Sequence, residues 1–151
     1  MKLLSEQIDS EVEYLIERDV NGNKSHFIHG VFMMGAPHVN RNKRTYPVPT
    51  LAREATRYTN ERIIPECAWG EMSHPSGPNI NLDRACILVR ELTQEGTDWY
   101  GKAEICPTPM GDTLKGLMQI GKVGVSSRAL GSLTEKNGVF HRGRGLASIG
   151  D

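Results

Sequence analysis

Two short stretches of this sequence hold residue types that can act on an acyl group. Gly70-Glu71-Met72-Ser73-His74-Pro75 offers a histidine, and Gly124-Val125-Ser126-Ser127-Arg128 offers serines among small neighbours. A serine hydroxyl is a weak nucleophile near neutral pH and needs a base to take its proton. His74 suits that role because imidazole titrates near that pH. Its second ring nitrogen needs an acidic partner to hold the tautomer and stabilise the imidazolium. Glu71, Asp83 and Asp151 are the acidic options. Glu71 shares an extended segment with His74 and is expected to point to the opposite face. Asp83 lies beyond a Pro/Gly/Asn loop that could fold back, and Asp151 lies one hairpin past the serine strand. Ser126 and Ser127 face opposite sides of a strand, whereas Arg128 shares the face of Ser126, where a cation can help stabilise an oxyanion.

Blander readings compete with this one. Arg41, Lys43 and Arg44 read by default as a solvated basic turn. His26, His29 and His38 match no standard metal-ligand spacing, so no metal is expected there. A metal-dependent hydrolase using His74 with Glu71 or Asp83 is a weaker option. Trp69, Trp99 and Tyr100 read as core packing.

The elements that must position these residues follow from periodicity and punctuation. Ser5 to Arg18 has Ile8, Val12, Leu15 and Ile16 at near-helical spacing, before a turn at Asn21-Gly22-Asn23. Phe27 to Met34 reads as a buried strand. From Pro49 to Ile63, Leu51, Ala55, Tyr58 and Ile63 mark one face of a helix. Cys67 to Ser73 reads as a short extended stretch delivering His74. Residues 85–92 and 98–105 flank a hairpin turn at 93–97. A second helix is expected from Asp112, as N-cap, to a stop at Gly121. Strands over 123–133 and 146–151 complete the chain.

Composition bounds the rest. The 151 residues suit one domain with a real core. Eighteen basic and eighteen acidic residues cancel, which argues against a charge-driven nucleic-acid or membrane partner. No run of about 18 apolar residues points to a membrane span. Cys67, Cys86 and Cys106 form an odd, widely spaced set, read as reduced thiols in a cytosolic compartment.

Three blocks carry a resemblance to a known family: Val39-Asn40-Arg41-Asn42-Lys43-Arg44-Thr45-Tyr46-Pro47, the Gly70–Pro75 stretch, and Gly124-Val125-Ser126-Ser127-Arg128-Ala129-Leu130-Gly131-Ser132-Leu133. In order and spacing the chain resembles the prohead core protein proteases of T-even-type tailed phages, from about Phe27 to Asp151. That family is similar in fold to the herpesvirus assemblins. The resemblance implies an α+β fold with a compact mixed or antiparallel β-barrel-like core flanked by helices. Residues 1–25, outside the resemblance, read as a peripheral segment open to processing, ahead of a protease domain at 26–151 that the resemblance expects to be truncated at its C-terminus.

The same resemblance implies a cofactor-free serine endopeptidase with Ser126 as nucleophile, His74 as base and Asp151 as third member. Its substrates would be scaffold, core and capsid proteins and the enzyme itself, cut after Glu in a hydrophobic-x-Glu context. Arg41, Lys43 and Arg44 would then face the substrate glutamate, with Arg128 as competitor. Such an enzyme works in the host cytoplasm, inside the assembling prohead, with homo-oligomerisation left open. Candidate self-cleavage sites within the chain include Leu4-Ser5-Glu6, Leu15-Ile16-Glu17 and Leu133-Thr134-Glu135. The alternative is a non-catalytic head-assembly factor that binds scaffold through a truncated protease fold.

Overall fold

The computed structural model describes residues 2–7, 12–39, 43–72, 81–131, 133–136, 139–142 and 146–150. In chain order these form β1 (Lys2–Gln7), β2 (Glu13–Arg18), β3 (Lys24–Met34), β4 (Arg44–Thr45), α1 (Val48–Tyr58), β5 (Trp69–Glu71), β6 (Ala85–Glu95) and β7 (Asp98–Ile105). They continue with α2 (Pro109–Ile120), β8 (Ser126–Gly131), β9 (Leu133–Lys136), β10 (Val139–Arg142) and β11 (Leu146–Gly150). The expected α+β architecture is present. It is not a closed barrel, however, because the strands divide into three sheets, ordered β2-β3-β7-β6-β5, β1-β8-β11 and β4-β10-β9.

The five-stranded antiparallel sheet is the scaffold. Its hairpin β6–β7 is tighter than expected: Glu95 pairs with Asp98, leaving Gly96-Thr97 as the turn, with Gly96 at φ +64°. Between Val31 and Met33 the β3 register slips by one residue against β7, and Phe32 is the extra residue. That bulge lays the fully buried Phe32 ring over Gly101, where an added Cβ would stand 2.0 Å from it. Ile28, Phe32, Ile87, Val89, Trp99 and Ala103 then share one core with Leu51, Ala55 and Tyr58 of α1. Trp99 is core as expected, but Tyr100 is exposed and Trp69 half-buried, because neighbours along a strand face opposite sides.

Both helices form where the sequence places them, with different starts. Pro47 precedes α1, and a π-helical turn at Thr59–Ile63 continues it. In α2 the cap is Thr108, not Asp112: its Oγ1 accepts the Gly111 amide at 3.2 Å, which puts Asp112 in the first turn. Gly111 is obligatory there, since a Cβ would stand 1.8 Å from the Cys106 carbonyl oxygen. Gly121 ends the helix, as expected.

The N-terminal residues depart from the helical reading of Ser5–Arg18. Glu13–Arg18 is an edge strand paired with β3, and Lys2–Gln7 pairs with β8. Cross-strand pairing decides the conformation of such short, mixed segments, and their own spacing does not. The first 25 residues therefore supply one strand to each of two sheets. The three candidate cleavage sequences named above, at Glu6, Glu17 and Glu135, fall within paired strands β1, β2 and β9, and Glu17 is further tied to Lys102 at 2.6 Å. The three cysteines are free, with Cys86 and Cys106 buried.

Candidate active site

The serine strand is positioned from both ends of the chain. Leu114 of α2 is fully buried, and the segment after Gly121 leads through the buried Val125 into β8, which begins at Ser126. β8 is the central strand of its sheet. Ser126 pairs with Gln7 of β1 on one side and with Gly150 of β11 on the other. Arg128 pairs with Ser5 and Ser148, two positions along β8 from Ser126. β11 also lies against β5 and α1, and β8 against β3, so the small sheet abuts the scaffold.

The other proposed triad members flank this junction in sequence. His74 follows β5 by way of Met72 and lies outside the described residues, as do Asp151 and Arg41. Asp151 comes directly after Gly150, the register partner of Ser126. Of the other acidic options, Asp83 is exposed in a 3-10 turn (Leu82–Arg84), whereas Glu71 is 1% exposed. Glu71 Oε1 accepts the backbone amide of Asn81. A register slip between Gly70 and Glu71 against β6 accompanies the burial of both residues, which regular alternation would place on opposite faces.

The basic turn lies on a different sheet. Lys43 is exposed with φ 59°, and Arg44 opens β4, paired in parallel with Phe140 of β10. Neither belongs to the sheet that holds Ser126. The three histidines once considered as a cluster have separate neighbours. His26 Nδ1 is hydrogen-bonded to the Tyr14 hydroxyl, His29 Nδ1 lies 3.8 Å from Glu13, and the His38 carbonyl accepts Thr45 Oγ1 at 2.9 Å. Among the described residues no group of three or more His, Cys, Asp or Glu side chains is placed to hold a metal. Among the described residues no helix is long and apolar enough to cross a membrane.

Comparison with known proteins decides the family. The family model described as prohead core protein serine protease matches residues 7–145. The chain belongs to that family. It is 40% identical over 114 residues to the prohead core protein protease of Enterobacteria phage T4, covering 74% of this chain and 53% of that protein. The chain thus spans about half the length of that relative. It also superposes on the structure of the bacteriophage T4 capsid assembly protease with a TM-score of 0.89 and 30% identity, covering 99% of this chain and 93% of that one. Sequence reasoning missed Arg84, which reaches from the 3-10 turn to the β5 end (Nη2 to the Met72 carbonyl, 3.0 Å). No motif marks it, because only strand pairing brings residues 72 and 84 together.

Proposed function

We propose that this chain is a serine endopeptidase of phage head maturation, cutting scaffold, core and capsid proteins, and itself, after Glu in a hydrophobic-x-Glu context. It acts in the host cytoplasm inside the assembling prohead and needs no cofactor. Ser126 attacks the scissile carbonyl while His74 takes its proton and later returns it to the leaving amine. Asp151 holds the imidazole in the right tautomer. Backbone amides near Ser126, with Arg128 behind them, stabilise the oxyanion. Lys43, Arg44 and Arg41 are the cations offered to the substrate glutamate.

The observation that carries this reading is the pairing around β8. Its first residue, Ser126, is matched to Gly150, the residue before Asp151, and β11 lies against β5, the strand that leads to His74. Strands β5, β8 and β11, far apart in sequence, thereby adjoin one another in a family named for serine proteolysis, which supports this reading. A paired strand is a poor protease substrate, so self-cleavage at any of the three sites requires that strand to leave its sheet first.

The test is a peptide carrying Leu-x-Glu, incubated with wild type and with Ser126→Ala, with and without chelator. The expected result is cleavage after Glu that disappears in Ser126→Ala and ignores the chelator. Binding without cleavage would assign the chain to head assembly instead, and loss of cleavage in chelator would overturn the serine mechanism.

A further inference from the structure

Glu71 and Arg84 close the base of the segment that carries His74. The carboxylate of Glu71, buried at 1% exposure at the end of β5, accepts the Asn81 amide. Met72 and Arg84 make a reciprocal pair: the Met72 amide donates to the Arg84 carbonyl at 3.1 Å, and Arg84 Nη2 donates to the Met72 carbonyl at 3.0 Å. The Arg84 amide in turn donates to the Asn81 carbonyl at 3.0 Å. Four contacts thus fasten residue 72 and residue 81 to one rigid edge of the scaffold. The Asn81 amide thus finds its acceptor on a side chain buried at the end of β5, which ties the Asn81 backbone to that strand.

We propose that Glu71 and Arg84 are positioning residues for His74, acting by holding residues 72 and 81, which bound its stretch of the chain. The inference rests on the protease reading above. Each is proposed to act through its contacts with residues 72 and 81. Small displacements of a general base lower the chemical step far more than they lower substrate binding.

The experiment compares wild type with Glu71→Ala, Glu71→Gln, Arg84→Ala and Arg84→Lys, using Leu114→Ala as a core variant that lowers stability throughout while leaving the Glu71 and Arg84 side chains in place. For each, kcat and KM on the Leu-x-Glu peptide, thermal midpoint and amide exchange at Asn81 are measured. Glu71→Ala is expected to lower kcat about tenfold or more with KM little changed. It should also speed exchange at Asn81, and Glu71→Gln, which keeps an acceptor oxygen, should recover most of kcat. An unchanged kcat in Glu71→Ala overturns the proposal. So does a kcat loss that merely tracks the thermal midpoint along the line set by Leu114→Ala. If wild type shows no Ser126-dependent cleavage, the protease reading fails by itself. The clamp is then judged by the His74 ring resonances: a shift in Glu71→Ala upholds the positioning of His74, and none overturns it.

Discussion

The five-stranded sheet and the β1-β8-β11 sheet draw on the chain in opposite ways. The first contains three antiparallel pairs of consecutive strands, β2–β3, β5–β6 and β6–β7, and supplies much of the buried core among the described residues. The second joins the first strand, the eighth and the last, so Lys2 pairs with Gly131 and Ser126 with Gly150. Local pairings close short loops, whereas non-local ones gain nothing until a long loop has closed. The scaffold is therefore able to organise first. The sheet that bears Ser126 depends on it, entered through the core residue Val125 and leaning on β5 and α1. Damage to the scaffold should reach the site, while damage at the site should leave the scaffold intact.

Four measurements probe that asymmetry. The largest effect is expected from Ser126→Ala, which should lower cleavage by roughly a thousandfold or more without moving the thermal midpoint. A fall in midpoint would mean that the serine supports the fold, and the two regions would not be separable. Next is Leu114→Ala, which empties a fully buried site where α2 meets the core. Urea unfolding should show a loss of about 2–5 kcal/mol. Amide protection should fall in both sheets, and loss confined to α2 would break the dependence of β8 on the scaffold.

Thiol labelling gives a finer reading. Burial pushes the Cys106 thiol up, Glu104 adds to this and Arg90 opposes it. The half-buried Cys67 should react about tenfold faster than Cys86 and Cys106 in native protein at mildly alkaline pH. Because the Cys106 value is raised on folding, its contribution to stability is present below the ordinary thiol range. It is lost as pH climbs through the raised value. Equal labelling of all three cysteines would show that the scaffold opens as readily as its surroundings. The smallest effect is expected from Lys102→Ala, which removes the bridge to Glu17 on edge strand β2. Lys102 is half-buried and its Nζ lies 4.5 Å over the Phe27 ring. Ion pairs near the surface contribute about 0–1 kcal/mol, however, so urea unfolding should shift by no more than about 1–2 kcal/mol.

Much of the scaffold was legible in the residues. Leu51, Ala55 and Tyr58 recur at helical spacing and are buried in α1. The two β-rich runs around Gly96 form the hairpin, and Gly121 ends α2. These features depend on neighbours a few positions apart, which a sequence displays directly. The readings that changed involve distant partners. Glu13–Arg18 has helical spacing but takes its conformation from β3. Thr108 displaces Asp112 as cap, where the helix start meets the β6 end and Thr108 Oγ1 also bonds the Ala85 carbonyl. Glu71, weighed as a partner for His74, is turned to the Asn81 amide where β5 slips its register.

For this protein, the sequence by itself determined the family, through three particular blocks, and nominated Ser126, His74 and Asp151. It could do so because side-chain identity and order are what a motif records. Tertiary structure alone decided that β8 lies between the first and last strands, that the sheets stay open, and that Glu71 and Arg84 hold residues 72 and 81 together. Those facts rest on hydrogen bonds between backbone groups that every residue carries, and such groups leave no trace in the identity of the side chains.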